Sequence, residues 1–151
     1  MVEARLAQPA AQLVTPRTTY ILDANGRALF DKKLGSANFD FTALPSITDP
    51  SGQQIRYGST ALTSQQVVYV YVISAQLAAK KLGIESMTLQ AGGQELDVRV
   101  QGLGYIVKFN FGADSRQSVG AYLATKERLE ADRAGTSEYI DVRLPERVYV
   151  K

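Results

Sequence analysis

The 151-residue sequence contains no cysteine and no histidine. Without cysteine there is no disulfide, no thiolate metal site and no thiol nucleophile. Without histidine there is no Ser-His-Asp triad, no imidazole general base and almost no route to a catalytic zinc site. Carboxylate and lysine chemistry stay open, but the composition argues against most hydrolytic enzymes, and a non-enzymatic role is the expectation. No 18-residue apolar run occurs, so no segment is suited to span a membrane as a helix. Met1-Val2-Glu3-Ala4-Arg5 is not followed by the apolar core of a signal peptide. Excess charge of one sign is also missing. Lys and Arg number 17 against 15 Asp and Glu, a net charge of +2, and no basic run exceeds Lys32-Lys33 or Lys80-Lys81. That pattern is too weak and too interspersed for a nucleic-acid footprint. Walker A, EF-hand and paired-histidine motifs are absent. Gly102-Leu103-Gly104 begins a G-x-G but has no third glycine at the required spacing, and it links two strand-like runs, so it reads as a turn. No cofactor and no metal site are expected.

What remains is an ordinary globular balance, 45% hydrophobic and 21% charged, in a chain long enough to bury roughly two-thirds of its unfolded surface. Residues 1–17, with Pro9 and Pro16, read as an extended lead-in, and 18–151 as one β domain. Asn25-Gly26 separates Thr18–Leu22 from Arg27–Phe30, a strong hairpin signal. Residues 31–60 are rich in loop residues, with Leu44, Ile47 and Ile55 as apolar anchors. Thr63 and Gln66 have capping-box spacing and open a helix over 64–82, although Val67–Ile73 by itself would suit a strand. Its expected inner face is Val67, Val70, Tyr71, Ser74, Leu77, Ala78 and the Lys81 stem. On this reading Tyr71 is core and Tyr69 is exposed or packed at an edge.

Three strand-like runs follow. These are Ser86–Gln90, then Glu95–Val100 with Leu96, Val98 and Val100 inward, then Tyr105–Phe111 with Tyr105, Val107, Phe109 and Phe111 on one face. A second helix is expected at about 115–133, capped by Asp114 or Ser115 and closed by Gly135. Its inner face is Val119, Tyr122, Leu123, Lys126 by its stem, and Leu129. The acidic residues Glu127, Glu130 and Asp132 alternate with Lys126, Arg128 and Arg133, which suits a solvated face with i,i+4 pairs rather than a catalytic carboxylate pair. The chain ends in Glu138–Leu144, with Ile140, Val142 and Leu144 inward and Asp141 and Arg143 outward. Pro145 interrupts that ladder, so residues 147–151 begin a new strand or extend an edge past a bulge. The fold class is α+β, a mostly antiparallel sheet with two helices, the chain ending in an edge strand. The last stretch either ties down the chain end or offers the Arg147–Val150 backbone to a partner strand.

Tyr139-Ile140-Asp141-Val142-Arg143, placed after a helix and near the end, resembles the Y-[IV]-D-[LV]-R signature that closes the β domain of FtsQ/DivIB-type bacterial cell-division proteins. Other segments agree in order. Val2-Glu3 through Gln8-Pro9-Ala10 is similar to the family's lead-in to that domain, and Tyr20 to Phe30 is similar to its hydrophobic-D-x-x-G-x-[VL]-F hairpin. Leu44-Pro45-Ser46-Ile47 resembles its L-P-x-[IL]. Lys108-Phe109-Asn110-Phe111-Gly112 with Gln117 resembles its x-K-F-x-x-G and following helix. The resemblance covers nearly the whole chain and rests on order and spacing.

It implies the β domain of a single-pass protein of the cell membrane. The transmembrane helix and a POTRA domain would precede the present chain, and the domain would face outside the cytoplasm. It also implies a divisome scaffold in septum formation. Such a domain binds FtsB/DivIC-like and FtsL-like partners, and takes no small-molecule substrate. Recognition is by β-augmentation, the last strand accepting a partner strand. By position, the partner-binding residues are Leu144, Glu146, Arg147, Val148, Tyr149 and Val150. The alternative is a generic extracytoplasmic binding module with no division role, which a deep apolar pocket would favour. An enzyme would instead show two carboxyls converging in one cleft with raised pKa.

Overall fold

In the computed structural model, residues 7–35, 39–136 and 138–151 are described. The Val2-Glu3 part of the lead-in lies outside them. The class is the expected one. Among the described residues there are nine strands, mostly antiparallel, and two helices. The chain forms two compact units, Met1–Val68 and Tyr69–Lys151.

The first unit contains β1 (Ala11–Val14), β2 (Thr19–Leu22), β3 (Ala28–Asp31) and β4 (Ser46–Thr48) in the order β3-β2-β1-β4. β1 pairs antiparallel with β2 and parallel with β4. Part of the lead-in is therefore an interior strand: Ala11 and Leu13 are buried. Ala11-Gln12-Leu13-Val14 carries little β-branching and gives a weak local signal. Gln12 is buried because its side chain is used on both ends, donating to the Phe41 carbonyl at 2.7 Å and accepting from Lys32 Nζ at 2.9 Å.

The β2–β3 hairpin forms where Asn-Gly placed it. Asp23 Oδ1 accepts from the N–H groups of Asn25 at 2.8 Å and Arg27 at 2.9 Å. Gly26 takes φ +74°, a conformation that L side chains resist. A Cβ there would lie 1.8 Å from the Leu62 carbonyl oxygen. Of the anchors expected in the loop region, Ile47 is fully buried, and Leu44 and Ile55 are half-buried.

Helix α1 (Ser64–Ala79) opens with the reciprocal bonds of a capping box: the Gln66 N–H donates to Thr63 Oγ1 at 3.1 Å, and the Thr63 N–H to Gln66 Oε1 at 2.8 Å. It ends before 82, with Lys81 at φ +58°. Its inner face differs from the expectation. Val67, Tyr69, Val70, Ile73 and Leu77 are buried, while Tyr71 is exposed and Ser74 is half-buried. Ala78 and Lys81 are also exposed. From Val67 to Ile73 every residue is apolar or aromatic, so the sequence offers no contrast from which to read a face. Packing makes the choice: Tyr69 meets Phe109 and Phe111 edge-on, with centroids 6.4 and 5.2 Å away.

The second unit orders its strands β5-β6-β7-β8-β9. They are β5 (Ile84–Leu89), β6 (Glu95–Val100), β7 (Ile106–Asn110), β8 (Tyr139–Asp141) and β9 (Tyr149–Val150). Only β7–β8 is parallel. The alternation read from sequence holds: Leu96, Val98, Val100, Val107 and Phe109 are buried. Helix α2 (Ser115–Ala131) is capped by Asp114, which accepts from the Gln117 N–H at 2.8 Å. Its buried residues are Ser118, Val119, Tyr122 and Thr125. Leu123, Lys126 and Leu129 are only half-buried. The helix closes at Asp132 and the left-handed Arg133, ahead of Gly135. Tyr122 stacks edge-on against Tyr105, with the hydroxyls 3.2 Å apart. Lys126 pairs with Glu130, as the i,i+4 spacing predicted. Tyr69 and Tyr122 thus both pack against the Tyr105–Phe109 face of the sheet. The opposite face carries the charged side chains.

Candidate partner-binding edge

The last two strands form a hairpin whose outer member, β9, is the edge of the second unit. Ile140 pairs with Val150, and Asp141 with Tyr149, in antiparallel register. Residues 147–151 therefore start a new strand and do not extend the old one. Pro145 lies in the connecting turn, where the Arg147 N–H donates to the Leu144 carbonyl at 2.8 Å.

The strand is pinned at its end. Tyr139 and Lys151 exchange both main-chain hydrogen bonds, at 3.1 and 3.0 Å. Thr136 Oγ1 and the Glu138 N–H also donate to the Lys151 carbonyl, at 2.7 and 2.9 Å. Lys151 Nζ sits 3.1 Å from Glu138. That carboxylate raises the Lys151 ammonium above its ordinary range, first by hydrogen bonding and then by charge.

An antiparallel ladder alternates hydrogen-bonded and non-hydrogen-bonded pairs. Because Tyr139 and Lys151 are a bonded pair, Ile140 and Val150 are not. The N–H and C=O of Val150 therefore point away from β8. No hydrogen bond to them from that side is present among the described residues. Val148, two residues earlier, shares that phase but precedes the strand.

The side chains divide by face. Val150 shares the face of buried Ile140. Tyr149, 55% exposed, shares the face of Asp141. Of the six candidate residues, Tyr149 and Val150 lie in β9. Leu144, Glu146 and Arg147 are exposed in the turn, and Val148 is half-buried there. The alternation predicts Leu144 inward, whereas it is 61% exposed. β8 ends at Asp141, so the alternation that would turn Leu144 inward is not continued.

The same alternation predicts Asp141 outward. It does project from the polar face, yet it is only 8% exposed, because Arg143 covers it. Arg143 Nε donates to both Asp141 oxygens at 3.0 and 3.1 Å, and Nη2 donates to Oδ2 at 2.6 Å. Nη1 donates to both Glu95 oxygens at 2.9 and 3.0 Å. Burial pushes the Asp141 carboxyl up, but the hydrogen bonds and charge of Arg143, with help from Lys108, outweigh it and hold the group below its usual range. The guanidinium is raised in turn, by Asp141 first and Glu95 second.

Asp97, Lys108, Asp141 and Tyr149 stand in one cross-strand row. Lys108 Nζ lies 3.8 Å from Asp97 and 5.5 Å from the Tyr139 ring centre. Burial raises the Asp97 carboxyl, with Lys108 pulling the other way.

Beside β9 these side chains border a hollow of about 250 Å³, lined by Glu95, Asn110, Asp141, Arg143, Leu144 and Tyr149. Two carboxylates converge here, but on a guanidinium that neutralises one of them, and Asp141 is lowered rather than raised. Glu95 and Asn110 were absent from the expected site. Period-two alternation did set Glu95 outward, but its meeting with Arg143, 48 residues away, depends on β8 lying parallel beside β7. No group of acidic side chains suited to hold a metal ion is present among the described residues. None of their helices is long and apolar enough to cross a membrane. Compared with known proteins, the chain matches no family model and no curated sequence.

Proposed function

We propose that the chain is a non-enzymatic scaffold domain of the bacterial divisome, similar to the β domain of FtsQ/DivIB-type proteins. It takes a strand of an FtsB/DivIC-like partner, with an FtsL-like protein in the same assembly, onto β9. The observation that carries this reading is the outward N–H and C=O of Val150 on an edge strand that, among the described residues, has no strand on the side away from β8. Affinity would come from main-chain pairing, with selectivity from Tyr149, Leu144 and the charged turn residues Glu146 and Arg147. The ordered sequence resemblance supplies the biological setting, an analogy of family rather than of site chemistry.

The test is a calorimetric titration with a synthetic peptide from the C-terminal part of the FtsB/DivIC-like protein of the same organism. Val150→Pro removes a donor that β8 does not use, so the hairpin stays folded while the added strand loses a bond. The wild-type chain should bind, and Val150→Pro should bind about tenfold more weakly or not at all. Absence of wild-type binding, or equal binding by the variant, rejects strand addition at this edge.

A further inference from the structure

A second hollow, of about 390 Å³, lies in the first unit where the β1–β2 turn meets the end of β3; residues 15–19 and 31–33 line it. Its frame is fixed by internal hydrogen bonds. Thr15 Oγ1 donates to the Thr18 carbonyl at 2.8 Å and accepts from the N–H groups of Arg17 and Thr18 at 3.3 and 3.1 Å. The only acid in the lining, Asp31, is already engaged: the Thr18 hydroxyl donates to one oxygen, and the Lys33 N–H donates to the other at 2.8 Å. Those two bonds, Thr18 first, and the nearby Lys33 charge keep its carboxyl ionised below the usual range.

Three cations share the lining, Arg17, Lys32 and Lys33. Lys32 is held in place by Gln12 and lies 5.9 Å from the Phe41 ring centre. The Arg17 guanidinium and Lys33 ammonium have no hydrogen-bond or ion-pair partner among the described residues. Three positive charges against one shielded carboxylate leave the lining two charges positive. Arg17 offers a planar fork and Lys33, whose charge also acts on Asp31, a point charge, and a tetrahedral oxyanion can accept from both at once. No aromatic ring lines the hollow to stack a base or a sugar.

We infer that this hollow binds a phosphate group, with Arg17 and Lys33 as the gripping side chains and Lys32 as a fixed neighbouring charge. Free phosphate and an anionic lipid headgroup share that chemistry.

The experiment is an amide NMR titration of the full chain with inorganic phosphate, balanced by chloride at constant ionic strength. Sedimentation with phosphatidylglycerol vesicles, and with phosphatidylcholine vesicles as control, runs beside it. Amide shifts at Arg17–Thr19 and Lys33 should saturate with phosphate. The double variant Arg17→Gln, Lys33→Gln should weaken that binding at least about tenfold, whereas Lys80→Gln, Lys81→Gln should leave it unchanged. Phosphatidylglycerol-dependent sedimentation lost in the first variant assigns the headgroup; saturable phosphate binding without sedimentation assigns the free ion. Shifts that do not saturate, that chloride reproduces, or that survive in the first variant overturn the site.

Discussion

Ala28 of β3 has both main-chain groups occupied: its N–H donates to the Ser59 carbonyl at 3.0 Å, and its C=O accepts from the Gly58 N–H at 2.7 Å. Nearby, the Gly26 carbonyl accepts from Ala61 at 2.8 Å and Leu62 at 3.2 Å, and Arg27 forms a bridge with Thr60. The start of β3 is thus covered by a returning loop, and Lys32 and Lys33 follow its end. Val150 of β9 has no such cover among the described residues. Its strand is two residues long, flanked by an exposed turn and pinned from the inside only. Natural sheets blunt their edges with loops, lysines and short strands. Both strands are followed by lysine, Lys32 and Lys33 after β3 and Lys151 after β9; what separates them is the covering loop, which β3 has and β9 lacks among the described residues. An edge left open in one unit while the other is covered is the contrast on which the proposed strand addition to β9 rests.

Gly26→Ala breaks that comparison most severely. It forces an L side chain into φ +74° and drives a Cβ into the Leu62 carbonyl, lifting the 58–62 cover from β3. We expect a loss of about 3 kcal/mol or more, seen in denaturant unfolding, together with concentration-dependent self-association through the uncovered edge. A variant as stable and as monomeric as the wild type would show that the loop does not guard β3.

Arg143→Ala comes next. It strands the covered Asp141 carboxylate and frees Glu95. Loss of the charged hydrogen bonds should cost about 2 kcal/mol, less than for a fully buried pair because Arg143 keeps 37% exposure. Amide exchange at Tyr139 and Lys151 should speed up while the β2–β3 hairpin is unaffected.

The same pair sets an acid limit. The Asp141 carboxyl is lower in the folded chain than its ordinary 3.8. Its stabilisation is therefore complete above that value and is lost as pH falls through the folded one. Hydrogen exchange should show the β8–β9 hairpin loosening below about pH 4, at the unperturbed carboxyl range. In Arg143→Ala that acid response should shrink. A hairpin equally protected at pH 3 and pH 6 would mean that Asp141 contributes nothing to it.

The smallest change in stability is expected for Tyr149→Ser. Its ring is 55% exposed, so unfolding should move by no more than about 0.5 kcal/mol. Peptide affinity should nevertheless fall, because the ring borders the hollow beside the edge. Unchanged affinity would remove Tyr149 from the binding surface and leave the backbone alone.

The local grammar of this chain was open to reading from its residues. Asn25-Gly26 marked the hairpin because glycine takes the positive φ of its turn cheaply. Thr63 with Gln66, and Asp114 ahead of α2, marked helix starts by their capping chemistry. Period-two alternation over Glu95–Val100 and Tyr105–Phe111 separated the buried face from the charged one. All of these depend on neighbours within a few positions. Other features depend on which segments come to lie side by side, and these only the tertiary structure decided. Tyr69 rather than Tyr71 is buried because α1 is apolar all round and Phe109 and Phe111 select its face. Asp141 is covered, and Glu95 joins it, because the parallel β7–β8 pairing brings Arg143 within reach of both. Ala11–Val14 is interior because β2 and β4 flank it. The openness of β9 belongs to the same class: the residues around Pro145 allowed either a tied-down chain end or an open edge, and an edge is defined by the strand that is not beside it.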